Sequence, residues 1–279
     1  MDVTVLSENT KRKNSKLKTE HGLSLLLEKD GNKVLFDTGG PKDTAIQNSE
    51  TLNIDISKVD AVVISHGHND HTGGLINFFK INDNAPVYLK KEAFDPHYAE
   101  RISKKEFIGI DKRIIKNNYE RFKFVDKTSE ILEGVFIIPK ILKKFPIPSI
   151  NRYLFSLKGD HIERDQFNHE IFMAVQNNDM TVFSGCGHNG IRNILYTAKE
   201  KFPNKKIRTI IGGFHFQAGK LTSVKAKDEE ILETANWLKS EGLEKVYTGH
   251  CTGSHGFKIM QTVLYDDLVQ IYSGQKILL

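Results

Sequence analysis

The chain has little cysteine and no long apolar run. Two cysteines among 279 residues cannot build a disulfide framework, which points to a reducing, cytoplasmic setting. The longest apolar stretches, residues 23–27 and 134–138, fall far short of a bilayer span, so no membrane association is expected. The amino terminus reads MDVTVLSENT before turning basic, without the charged start, apolar run and cleavage site of a secretory leader. Heptads, internal repeats and low-complexity tracts are missing too. What is present is 39% hydrophobic and 27% charged residues, enough apolar material for a real core, in a length that suits one large domain or two small ones.

The formal net charge is only +5, and the surplus is local. Residues 90–160 hold 16 Lys/Arg against 10 Asp/Glu, while the remainder carries 24 against 25. With prolines at 96, 139, 146 and 148, the stretch at about 90–158 reads as a basic insertion or lid within a single domain spanning 1–279. One reading makes it an ordinary solvated surface. The other makes it a flap that steers a small anionic, phosphorylated substrate to a nearby site. Nucleic acid ranks lower as a partner, because aromatics do not interleave with the basic residues. Oligomeric state is open.

Local patterns predict strands at residues 3–6, 59–64 and 86–89, and a hairpin of 23–27 with 33–36 around Asp30-Gly31. A short helix is expected after Pro41, and another over 73–80. Beyond residue 180 strands and helices alternate: strands at 180–183, 207–211 and 245–247, helices at 190–202, 228–240 and 257–266. Such alternation implies a layered α/β fold.

The 11 histidines carry the functional signal. At four places an apolar strand pattern runs into a glycine-containing loop with a histidine just past its end. These are Ser65-His66-Gly67-His68-Asn69-Asp70-His71, Ser184-Gly185-Cys186-Gly187-His188, Gly212-Gly213-Phe214-His215 and Thr248-Gly249-His250-Cys251. Loops at strand ends are where a rigid sheet places chemistry. In the first loop, His66 and His68 can aim at one ion, and Asp70 and His71 at a second. Imidazole with carboxylate suits zinc foremost, with manganese or iron as alternatives. A mononuclear site would not use all four groups, so two divalent cations are favoured. Asp37 is expected to orient a ligand histidine, with simple turn chemistry as the alternative. His215 and His21 are candidates to meet substrate phosphate or act as a general acid. Cys186 and Cys251 adjoin these loops, either for function or as small packing residues. His97, His161, His169 and His255 read as ordinary histidines, and Trp237 as core.

The run from Ser65 to Gly74, preceded by Leu35-Phe36-Asp37-Thr38-Gly39, resembles the metallo-β-lactamase superfamily. Glu20-His21-Gly22-Leu23-Ser24, Gly185-Cys186-Gly187-His188-Asn189-Gly190, Gly212-Gly213-Phe214-His215 and Gly249-His250-Cys251-Thr252-Gly253 resemble the dihydropterin-ribofuranosylaminobenzene-phosphate synthase-like branch of metal-dependent hydrolases. The resemblance implies a four-layer αβ/βα sandwich with a dinuclear centre. It implies a first metal on His66, His68 and His188, and a second on Asp70, His71 and His250, although His188 could serve either. Many relatives bridge the metals with an aspartate that this chain lacks. Cys186, His215 or the acidic group near Asp165 could take that place.

The expected activity is hydrolysis of an ester, phosphoester or related anionic bond by a hydroxide held between two metals, with Asp70 and His215 as catalytic groups. The branch also implies an alternative, a pterin-type transferase that releases diphosphate. An RNA-processing nuclease of the same fold is a further alternative.

Overall fold

The computed structural model describes residues 1–102, 104–218 and 224–279. Two seven-stranded sheets dominate it. The first runs Lys276–Leu278, Asp2–Ser7, Ser24–Lys29, Asn32–Phe36, Ala61–Val63, Val87–Leu89 and Phe122–Phe124 in spatial order. The second runs Leu268–Gln270, Lys245–Thr248, Ile207–Gly212, Met180–Ser184, Phe172–Gln176, Val135–Ile138 and Ser129–Leu132. Each sheet is antiparallel at one side and parallel at the other.

Alternation along the strands explains the layering. Leu25 and Leu27 face the core between the sheets while Leu26 faces outward; Met173 and Val175 do the same opposite Phe172 and Ala174. Both faces of both sheets are therefore apolar. Helices Thr44–Thr51 and Leu75–Ile81 cover the outside of the first sheet, and Ile191–Lys201, Asp228–Ser240 and Gly253–Leu264 cover the second. The result is the four-layer αβ/βα sandwich that the family resemblance implies. Phe36 and Phe183 meet across the central layer with ring centroids 6.1 Å apart, both fully buried. Phe183→Ala should cost about 3–5 kcal/mol through the lost burial and the cavity left behind, read as a lower urea midpoint with an unchanged slope.

The hairpin forms as expected, with Lys29 opposite Asn32 and the two turn residues Asp30 and Gly31 both at positive φ. The stretch 90–158 departs from expectation, because it is not one insertion. Phe122–Phe124 is an edge strand of the first sheet, and Ser129–Leu132 and Val135–Ile138 belong to the second. What stands apart is a four-stranded sheet of His161–Arg164, Leu154–Lys158, His97–Arg101 and Lys104–Phe107. Two of the core strands were hidden because they bury few of their residues, one of three in Phe122–Phe124 and none fully in Ser129–Leu132. The helix expected at 73–80 divides into Asn69–Thr72 and Leu75–Ile81 around Gly73 and Gly74, and the last helix begins earlier, at Gly253.

Candidate metal centre

The strands of the parallel halves end in the loops singled out above. Asn32–Phe36 leads to Asp37, and Ala61–Val63 leads to Ser65, His66 and His68. Helix Asn69–Thr72 follows at once and sets Asp70 and His71 on its first turn. In the other sheet Met180–Ser184 leads to Cys186 and His188, Ile207–Gly212 to His215, and Lys245–Thr248 to His250. Gly185 is required where these loops meet: a Cβ there would collide with Ser65 Oγ.

One group consists of His66, His68 and His188, whose nitrogens lie within 4.8 Å of one another. The outer nitrogens of two rings are anchored. His66 Nδ1 donates to Ser65 Oγ at 2.8 Å, and that hydroxyl donates to Asp37 Oδ2 at 2.7 Å. His188 Nδ1 donates to Asn151 Oδ1 at 3.1 Å, while the Asn151 amide donates to the His188 carbonyl. The Nε2 atoms of His66 and His188 are buried and have no hydrogen-bond partner. Burial first, and then the neighbouring rings, hold His66, His68 and His188 well below the ordinary histidine pKa. These are neutral rings presenting lone pairs.

A second group consists of Asp70, His71, Cys186 and His250. His71 Nδ1 donates to Asp37 Oδ2 at 2.7 Å, and His250 Nδ1 donates to Asn9 Oδ1 at 3.0 Å. With those protons placed outward, the two Nε2 lone pairs face each other at 3.2 Å. Cys186 Sγ stands 3.1 Å from His71 Nε2, and Asp70 Oδ2 stands 3.3 Å from His250 Nε2 and 3.7 Å from His71 Nε2. Lone pairs at that distance repel unless positive charge lies between them. Burial opposes charge on His71, but Asp70 and Asp37 overcome it and raise its pKa to about 9, so without a cation a proton on His71 Nε2 lies between the two rings, in the place a cation would take. Burial likewise opposes ionisation of Asp70, yet the His71, His250 and His21 rings hold its carboxyl well below the usual range. Both donor sets suit divalent cations.

Asp37, fully buried and at positive φ, therefore serves both groups, through Ser65 to His66 and directly to His71. A separate brace comes from residues 165–171. Asp165 Oδ2 accepts from His97 Nδ1 at 2.9 Å and from His169 Nε2 at 3.2 Å. Glu170 accepts the backbone N–H groups of His188 and Asn189, and the Phe167 ring stacks on His188 at 4.5 Å. Burial raises Glu170 to about 7 against the opposing N–H donors of Asn189 and His188.

A pocket opens over both groups. Its metal-facing side holds His21, His68, Asp70, Cys186, His188 and His215, and its far wall includes Ile108, Ile150, Tyr153 and Leu154. Among the described residues, Arg101 is the one basic side chain of the 90–158 stretch in that lining. The other basic residues of the stretch lie elsewhere.

A family model for the metallo-beta-lactamase superfamily matches residues 17–151. The crystal structure of Tm1679, described as a metal-dependent hydrolase of the beta-lactamase superfamily, is 30% identical and superposes with a TM-score of 0.84 over 100% of this chain and 99% of that one. The chain belongs to the metallo-β-lactamase superfamily. That superfamily is enzymatic, mostly hydrolytic, and typically binds divalent metals. A synthase from Methanocaldococcus jannaschii, 7,8-dihydropterin-6-methyl-4-(beta-D-ribofuranosyl)-aminobenzene-5'-phosphate synthase, is 28% identical over 98% of this chain and 95% of its own length. Human tRNase Z, short form, shares the superfamily fold at 12% identity and a TM-score of 0.52, covering 100% of this chain and 99% of its own.

Of the residues expected from sequence, the structure gathers His66, His68 and His188 in one group, and Asp70, His71 and His250 in the other. Of the three candidates for a bridging position, Cys186 enters the second group. His215 lies with Cys186 and Cys251 in a buried trio, its two ring nitrogens unpartnered. Asp165 is drawn away to His97 and His169, which corrects its candidacy and the reading of those two histidines as ordinary. His21 reaches Asp70 Oδ2 at 3.3 Å. Asn9, Asn151 and Glu170 were not singled out, since nothing in their local sequence marks an anchor for a distant histidine.

Proposed function

We propose that the chain is a hydrolase that carries two divalent cations, zinc foremost, and cleaves an ester or phosphoester of a small anionic substrate. His66, His68 and His188 would hold one cation, and Asp70, His71, His250 and Cys186 the other. The observation that carries this reading is the convergence of the His71 and His250 Nε2 atoms, each ring fixed by an outward hydrogen bond, with a carboxylate and a thiol beside them. The thiol favours zinc over harder ions. Bound cations would lower the pKa of a shared water and polarise a substrate oxygen.

The chain's own groups supply the remainder. Asp70 lines the pocket and would orient the attacking water as well as bind metal. His215 lines it too, and its unpartnered nitrogens would hold a proton for the leaving oxygen. Arg101, paired with Glu106 at 3.0 Å, would meet an anionic group at the rim. Cys186 and Cys251 are free thiols, which fits a reducing cytoplasm.

A transferase that releases diphosphate is the second reading, favoured by the near full-length similarity to the Methanocaldococcus synthase. Elemental analysis of the purified chain should find about two metal equivalents. Chelation should remove activity, and added zinc should restore it. A metal-free chain with undiminished turnover would refute the reading. Turnover of phosphodiester and phosphomonoester substrates supports the hydrolase; diphosphate release from a dihydropterin diphosphate that depends on an added arylamine and yields the coupled pterin–arylamine product, without such turnover, supports the transferase.

A further inference from the structure

Behind the first metal group lies a second buried polar cluster, and its atoms can be accounted for one by one. His68 belongs both to the group with His66 and His188 and to a group with His97, Asp165 and His169. His169 Nδ1 accepts the Gly67 N–H at 3.0 Å, so its proton sits on Nε2, which donates to Asp165 Oδ2. Asp165 Oδ1 accepts the Phe167 N–H at 2.7 Å, and Oδ2 accepts His97 Nδ1–H. Two atoms are left over: His97 Nε2 and His68 Nε2, both buried and without a hydrogen-bond partner. The two rings stand edge-on at 73°, with centroids 5.6 Å apart. Leaving both nitrogens bare in a buried site is costly, and a proton on one of them, aimed at the other, removes the cost.

A third cation is the competing explanation, and the donor count opposes it. His169 and Asp165 are committed, which leaves two imidazole nitrogens where a metal wants three or four ligands. His97 Nδ1–H is held by a fully engaged carboxylate, so His97 Nε2 must be the lone pair and His68 Nε2 the donor.

We propose that His97 is a positioning residue for the first metal group. Its bare Nε2 is the acceptor that the N–H of His68 meets when a bound cation draws that ring into place, and its Nδ1–H is anchored on Asp165, so His68 presents its remaining nitrogen to the cation at a fixed angle. The proposal rests on the metal-binding reading of His68. Partners of this kind set ring orientation and ligand basicity, and losing one typically costs about 10–100-fold in metal affinity.

The test uses the full-length, zinc-loaded chain in competition with a chromophoric chelator. His97→Ala should weaken one bound zinc by about 10–100-fold and leave the other unchanged. His97→Gln, whose Oε1 can accept from His68, should recover much of the loss. His97→Asn, which can keep the Asp165 contact but cannot reach His68, should not. Nitrogen-15 histidine spectra of the wild-type chain should show His97 protonated on Nδ1 and bare on Nε2. Should His97→Ala fail to fold, the Gln and Asn variants and those spectra decide. Equal zinc affinity in wild type and all variants overturns the proposal, as does an equal loss in Gln and Asn. A third zinc in wild type that vanishes in His97→Ala overturns it in favour of a metal site. Failure of the underlying metal reading looks different: the wild-type chain itself would take up no zinc.

Discussion

Asp37→Ala should disarm both metal groups with a single change. The carboxylate is fully buried and accepts from His71 Nδ1 and Ser65 Oγ, both at 2.7 Å, and from the Ser65 N–H at 2.7 Å. Removing it leaves His71 free to rotate and breaks the Ser65 link that holds His66. Breaking a buried pair of this kind costs about 3–5 kcal/mol. The variant should bind less than one equivalent of metal and unfold at a clearly lower denaturant concentration. Asp37→Asn keeps the shape and part of the accepting capacity, so it should keep the fold while binding metal more weakly. If Asp37→Ala retained two tightly bound metals by elemental analysis, the shared-anchor account would be wrong.

The second large effect concerns Asp70. Its Oδ2 lies within 3.3 Å of both His250 Nε2 and His21 Nε2, and the residue lines the pocket. It is the one carboxylate in the second metal group. On the proposed reading, Asp70→Ala removes a metal ligand and a group that would orient the attacking water together. Several kcal/mol of transition-state stabilisation should go with them, a fall in kcat/KM of roughly a thousandfold. Circular dichroism should stay native, because Asp70 is only partly buried and belongs to a short helix turn at the pocket. A variant within tenfold of wild type would remove Asp70 from the chemistry.

What sequence reading reached, and what it missed, follows from the range of each interaction. His66, His68, Asp70 and His71 sit within one loop and one helix turn, so their convergence is a local property that spacing can express. The glycine-flanked loops of His188, His215 and His250 share that local grammar. The anchors do not. Asn9 meets His250 across 241 residues of chain, and Asn151 meets His188 across 37, through single amide contacts that leave no periodic trace. Asp165 and His169 support residues far from them in sequence, and His97 looked like any histidine in a basic stretch. The layered α/β architecture was legible because apolar strands alternate with amphipathic helices, and the four-layer arrangement was implied by the family resemblance of the Ser65–Gly74 run. The strands inside 90–158 were not, because Phe122–Phe124 keeps one of its three residues buried.

The small four-stranded sheet has an evolutionary corollary. It supplies Ala99, Glu100, Arg101 and Leu154 to the pocket wall, yet shares no strand with either large sheet. A lineage could therefore trade one molecule for another by redrawing that wall, while the histidine-rich end, rooted in separate strands, is inherited intact.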